Sequence, residues 1–277
     1  MNVVELTKSL ISCPSVTPNN EGVLDLLQKE LTDMGFTCNR YLFSDTDTPD
    51  VDNLFAKIGS GAPHLCFGGH TDVVPVGDEN AWSSNPFEAT EKNGKLYGRG
   101  ASDMKSAIAA FVSAVREYLE NNQVKGTISL LITNDEEGPA INGTRKVLEE
   151  IYKNGEKIDS CLVGEPTCPN NLGEMIKIGR RGSMTTTIKV SGKQGHVAYP
   201  EWTLNPINPL TSILNTLCNL ELDKGTEDFP PSNMEIVKIA SSEGATNIVP
   251  QTSTGTFNIR YNICLLYTSD AADEFSC

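Results

Sequence analysis

Apolar residues at Val3, Val4, Leu6 and Leu10, and again at Val23, Leu24, Leu27 and Leu31, recur at the three-to-four-residue spacing of an amphipathic helix. Gly35 follows the second set as a stop signal, so two helices are expected to open the chain. The period then shortens. Residues 36–42, 53–58 and 64–67 are apolar or alternating runs of strand length, bounded by Gly, Pro and Asp, and the last leads into Gly68-Gly69. Over 103–119 the small and apolar side chains of Ala107, Ile108, Ala110, Phe111, Ala114 and Val115 predict a helix packed closely on a sheet. Residues 126–133 and 158–163 read as buried strands with a helix near 143–152 between them. Strands alternating with helices predict an α/β layer architecture: a mixed, largely parallel sheet flanked by helices.

The pattern changes at Gly179-Arg180-Arg181-Gly182. Residues 183–190 alternate, 206–220 carry a helical pattern, 234–240 are strand-like and 253–261 alternate again, which predicts a smaller α+β domain on an antiparallel sheet. A domain boundary is placed there, giving 1–179 and 180–263. The run 264–274 matches, in one reading frame, the translation of a transposon-type sequencing adaptor. Residues 264–277 are therefore expected to be a non-native tail, with the natural chain continuing past Ile263.

Charge narrows the function classes. The chain has 22 Lys+Arg against 36 Asp+Glu and a net charge of −14, the wrong sign for a protein that displaces counterions from nucleic acid. No apolar run has bilayer length, and the N-terminus lacks a basic stretch ahead of an apolar core, so neither membrane insertion nor export is expected and the cytoplasm is the expected compartment. Eight cysteines, at 13, 38, 66, 161, 168, 218, 264 and 277, form no CxxC pair and are expected to be reduced, mostly buried thiols.

Four clusters carry candidate chemistry. His70-Thr71-Asp72 follows a predicted strand; in extended chain positions i and i+2 share a face, so Asp72 can bond the far ring nitrogen of His70 and fix its tautomer. Gly98-Arg99-Gly100 turns the chain into Asp103, a position where an aspartate ordinarily caps a helix. Asp135-Glu136-Glu137 ends a third run and Glu165 a fourth, at the sheet edge where α/β proteins build their sites. Carboxylates gathered there raise one another's pKa unless a cation neutralises them. One histidine with several carboxylates suits zinc, cobalt or manganese, and a bridging carboxylate can hold two metals about 3.5–4 Å apart. His196, in a glycine-flanked turn, is expected to be exposed; His64, inside an apolar run, is read as a strand residue without a role.

The motifs HTDVVPVG, GRGASDMKS, DEEGPAINGT, VGEPT, RRGSM, GHVAYP and ATNIVP, in this order across residues 1–263, resemble the M20 metallopeptidase and amidohydrolase family. The resemblance implies a zinc-peptidase-like catalytic domain with a smaller dimerisation, or lid, domain, acting as a cytoplasmic homodimer. It implies two Zn2+ ions, with Co2+ as a substitute. His70 and Glu165 would be terminal ligands of one, Asp103 would bridge, and Glu137 would bind the other. Glu136 would be the general base, Asp72 would orient His70, and His196 would reach the partner subunit's active site to hold the developing oxyanion. Arg181, Tyr199, Asn247 and Arg260 match substrate-contacting positions. The family pattern includes a further histidine near the C-terminus, and His196 is the last histidine here.

The implied reaction is hydrolysis of the amide bond of a small N-acyl amino acid, with an N-succinylated diamino acid expected ahead of an N-acetylated one. The alternatives are another deacylase of the family and a non-catalytic protein that keeps the fold as a dimerisation surface.

Overall fold

The computed structural model describes residues 1–242 and 244–262; the proposed non-native tail, 264–277, lies outside them. By internal contacts the chain divides into two compact units, Met1–Glu174 and Met175–Cys277.

The first unit opens with α1 (Val3–Ile11) and α2 (Val23–Asp33). The Asn2 side chain accepts from Glu5 N–H at 2.9 Å and caps α1, satisfying one of the donors a helix start leaves free. α2 buries the stripe that its periodicity predicts, Val23, Leu24, Leu27 and Leu31, whereas α1 buries Leu6 and Leu10 and leaves Val3 and Val4 exposed. A hairpin follows, β1 (Thr37–Asp45) and β2 (Thr48–Ser60), turned at Asp47 with φ +60. Then come β3 (His64–His70), the short pair β4 (Thr90–Lys92) and β5 (Lys95–Tyr97), α3 (Ser106–Asn121), β6 (Gly126–Thr133), α4 (Thr144–Lys153) and β7 (Ser160–Val163).

The sheet order is β1-β2-β6-β3-β7. β6, β3 and β7 are mutually parallel, whereas β2 pairs antiparallel with both β1 and β6. Leu130 and Ile132 of β6 pack with α1, α2 and α3 on one face, and Leu131 packs with Val147 and Ile151 of α4 on the other. A strand covered on both faces reads as a continuous apolar run rather than an alternating one, as 130–132 does.

Three expectations need correction. The helix predicted from 103 begins at Ser106: Asp103 (φ −126, ψ 100) and Met104 (φ −131, ψ 28) lie in an irregular turn, so Asp103 caps nothing. β7 is an edge strand, with Leu162 and Val163 more than half exposed, because among the described residues only β3 pairs with it. The cysteines are not mostly buried. Of the six described, only Cys66 is buried, while Cys161 and Cys218 are exposed; Cys264 and Cys277 lie outside the described residues.

The second unit contains β8 (Gly182–Ser191), β9 (Gly195–His196), α5 (Ile207–Cys218), β10 (Asn233–Ser241), β11 (Ile248–Val249) and β12 (Thr252–Tyr261). β10-β12-β8 form an antiparallel sheet, and β11 pairs with β9. Leu210 and Leu214 of α5 pack on Phe257 and Ile259, the inward positions of an alternating strand. Among the described residues no helix is long and apolar enough to cross a membrane.

Candidate metal centre

β3, β6 and β7 run parallel, so their carboxyl ends open on one edge, where the next residues are Thr71-Asp72, Asn134 to Glu137 and Gly164-Glu165. His70 is buried at the end of β3. Its Nε2 lies 3.0 Å from Asp103 Oδ1, 3.3 Å from Glu165 Oε1 and 3.9 Å from Glu136 Oε2. Ligand-capable atoms of His70, Asp103 and Glu165 fall within 4.8 Å of one another, and so do those of His70, Glu136 and Glu137. Glu136 and Glu137 therefore stand together with His70. Asp103 reaches the same point from the turn ahead of α3 rather than from a strand end.

Asp72 has a wider task than the sequence suggests. His70 Nδ1 is 2.9 Å from the Asp72 main-chain carbonyl and 3.5 Å from its carboxylate Oδ1, so the backbone oxygen is the closer partner of that ring nitrogen. The fully buried carboxylate accepts from Glu136 N–H at 3.2 Å and Glu137 N–H at 2.9 Å. One aspartate thus fixes the histidine ring and the backbone of the acidic loop.

Electrostatics match the crowding. Burial pulls the His70 pKa down, but the Asp72 hydrogen bond and charge, with Glu136 behind them, outweigh it and raise it to about 9. Burial raises the Glu137 pKa, and the Asp103 charge raises it further while His70 opposes. Acids held this close to one another and to an imidazole fit a divalent cation: the donor set is nitrogen and oxygen, and Asp103 and Glu136 keep half-exposed carboxylates open to the edge.

Several supporting contacts escaped the sequence reading. Ser15 Oγ donates to Thr71 O at 2.6 Å, and Thr71 Oγ1 donates to Asn134 Oδ1 at 3.0 Å, which ties the ends of β3 and β6 together. Asp135 Oδ2 accepts from Ile141 and Asn142 N–H and folds the acidic loop back on itself. Lys105, the residue before α3, is fully buried, its Nζ donating to the carbonyls of Leu10 and Cys13 at the end of α1 and just past it. The available signal for Lys105 is its place three residues before Ile108 on the stripe 105, 108, 112, 115. His64 is structural, bonding Lys157 O and Ser129 Oγ.

The lid-motif residues fall into two groups within the second unit. His196 is exposed on β9, with Asn247 Nδ2 3.4 Å from its Nε2 and the Tyr199 ring 5.8 Å away. Arg181 stands just before β8 and donates to Pro231 O and Asn233 Oδ1; Asn233 is the register partner of Arg260 on β12. β8 separates the two groups, about 30 Å at roughly 3.3 Å per residue.

A buried histidine ringed by carboxylates at the carboxyl ends of three parallel strands gives an α/β fold with the nitrogen and oxygen donors of a metal site. Residues 66–261 match the family described as Peptidase family M20/M25/M40. The chain belongs to that family. It is 52% identical over 272 residues to the succinyl-diaminopimelate desuccinylase of Parvibaculum lavamentivorans, covering 98% of this chain and 68% of that protein. It is also 52% identical over 260 residues to the enzyme of the same name from Rhodospirillum centenum, covering 94% and 67%. Among solved structures, an M20 family metallo-carboxypeptidase from Sulfolobus solfataricus shares the fold with a TM-score of 0.79 at 19% identity, over 95% of this chain and 72% of that one.

Proposed function

We propose that the chain carries the catalytic site that hydrolyses N-succinyl-LL-2,6-diaminopimelate to succinate and LL-2,6-diaminopimelate, a step of diaminopimelate and lysine biosynthesis. The convergence of Asp103, Glu136 and Glu165 on His70 Nε2 carries the hydrolytic part of this reading. The two desuccinylases at 52% identity support the choice of acyl group.

In this reading His70, Asp103 and Glu165 would hold one zinc and Asp103 with Glu137 would hold the second, with cobalt able to substitute. Bound there, the metals would lower the pKa of water and polarise the scissile carbonyl. The remaining steps belong to side chains. Glu136 takes the proton of the attacking water, and the same carboxyl returns it to the leaving amine. Asp72 keeps Glu136 in place through its backbone N–H and holds the His70 ring. Arg181 and Arg260 supply paired donors for substrate carboxylates, which a protein of net charge −14 must recruit locally. Tyr199 and Asn247 complete the substrate contacts, and His196 donates to the developing oxyanion.

The separation of the two lid groups supports a homodimer. One small substrate does not span about 30 Å of sheet, so His196, Tyr199 and Asn247 would serve a different copy's site from Arg181 and Arg260. In this assignment the first unit is catalytic, the second dimerises, and both work in the cytoplasm.

The test compares hydrolysis of N-succinyl- and N-acetyl-diamino acids by zinc-loaded protein. Faster turnover of the succinyl compound is expected. Equal or faster turnover of the acetyl compound would replace the assignment with an acetylornithine-type deacylase, and no turnover with normal folding and no bound metal would favour a dimerising binding protein.

A further inference from the structure

Lys105 stands two residues past Asp103, and its side chain is fully buried although it ends in an ammonium group. Its Nζ donates to Leu10 O and Cys13 O, both at 2.9 Å. Neither carbonyl depends on the lysine for a partner: Leu10 O also accepts from Cys13 N–H at 3.3 Å, and Cys13 O from Ser15 N–H at 2.8 Å. Taking an ammonium out of water is costly, and an apolar side chain of similar volume often serves stability as well or better. Local stability therefore does not account for a lysine at this position, whereas the elements it joins do.

The two bonds join the end of α1 to the turn that carries Asp103. The Lys105 main-chain N–H donates to Gly100 O at 3.0 Å and closes that turn. A Cβ at Gly100 would lie 3.1 Å from Lys105 Cδ and 2.9 Å from Val73 Cγ1, so the lysine stem runs through space that the glycine leaves open. One residue earlier, Met104 Sδ accepts from His70 N–H at 3.3 Å. Met104 thus fastens the turn to β3, and Lys105 fastens it to α1. Asp103 is the residue next to these two anchors, with its Oδ1 3.0 Å from His70 Nε2. Asp103 and Met104 lie outside helical φ and ψ, so tertiary bonds rather than a helical ladder fix the carboxylate.

We propose that Lys105 is a positioning residue of the metal centre: by tying the turn at 100–105 to the end of α1, it sets the reach of the Asp103 carboxylate toward His70. The proposal rests on the reading of Asp103 as a metal ligand. A ligand atom has to be held within about 0.5 Å of its productive place, by neighbours that are themselves fixed. Lys105 meets that requirement, since its stem is packed under Gly100 and both of its acceptors belong to the backbone.

The experiment uses the full chain at neutral pH. Zinc affinity is read by competition against a chromophoric chelator, metal-free stability by urea unfolding, and ligand geometry by the visible spectrum of the Co2+-loaded protein. Lys105→Met is expected to fold with metal-free stability no lower than wild type, to bind zinc about 10- to 100-fold more weakly, and to change the cobalt spectrum. Lys105→Arg keeps nitrogen donors on a long stem and is expected to bind zinc more tightly than Lys105→Met. Wild-type affinity and spectrum in Lys105→Met overturn the proposal. So do a methionine variant that does not fold, which makes the lysine a residue of the fold at large, and an arginine variant that binds no better than the methionine one. Asp103→Asn separates this proposal from the metal reading: it is expected to weaken zinc binding at least as much as Lys105→Met, and wild-type affinity there removes the ligand assignment itself.

Discussion

The Asp72 carboxylate accepts from the main-chain N–H of Glu137 at 2.9 Å and of Glu136 at 3.2 Å, so a residue two positions past the histidine holds a loop more than sixty residues further along the chain. Replacing Asp72 with Asn removes the charge facing His70 and one of the two acceptors. Zinc affinity is expected to fall about 10- to 100-fold, the usual cost of losing a residue that orients a ligand. Competition against a chromophoric chelator measures it, and unchanged affinity would remove Asp72 from the site.

Glu136→Gln separates base from ligand. As the base, Glu136 contributes roughly 100- to 10,000-fold to turnover, and the amide cannot take a proton. The expected variant has lost that turnover and retains its zinc. Elemental analysis beside kcat decides the matter: loss of metal together with activity would make Glu136 a ligand, a role its 3.9 Å approach to His70 also permits.

Chelation is expected to lower thermal stability, because without cations the acids around Glu137 repel one another. With free zinc about a thousandfold over its dissociation constant, linkage returns about 4 kcal/mol. Calorimetry with and without zinc reads the difference, and an unchanged melting temperature contradicts a cation among these side chains.

Gly164→Ala tests the delivery of Glu165. A Cβ at Gly164 would lie 2.7 Å from Phe67 Cζ and 2.9 Å from Ala107 Cβ, both in packed surroundings. The expected cost is about 1–3 kcal/mol of stability by overpacking, accompanied by weaker metal binding as Glu165 shifts. Urea unfolding and zinc titration of the same sample check both.

Lys105 predicts a pH dependence of stability. Burial lowers its pKa from 10.5 to about 8, with Cys13 and Asp72 pulling the other way. Between these values the unfolded chain binds more protons than the folded one, so this contribution makes stability rise with pH from about 8 to 10.5, by up to about 3 kcal/mol. Lys105→Met removes that slope. The difference between the urea-derived stabilities of wild type and variant across the window is the measurement, and parallel curves would refute it.

Much of this architecture is legible from local patterning. Periods of 3.6 and 2 place α1, α2, α4 and α5 within a residue or two, because one face of each is buried and burial repeats with the geometry of the element. The pattern fails where a tertiary neighbour decides. The turn at 101–105 breaks the helical period so that Asp103 faces His70, and β7 reads as buried from its apolar residues although among the described residues Leu162 and Val163 are more than half exposed. Residues such as Ser15 and Lys105 are ordinary polar positions in sequence, and only the backbone groups they meet across long separations give them a task.

The order of apolar runs, the glycine punctuation and the carboxylates ending separate strands are written in the chain itself, because each depends on neighbours a few residues away. Which carboxylates share a cation depends on the order β6-β3-β7 and its parallel register, which bring His70, Glu136 and Glu165 to one edge across 66 and 95 positions of sequence. Strand pairing is a non-local contact whose free energy belongs to the whole sheet, so the assembled site is a property of the fold.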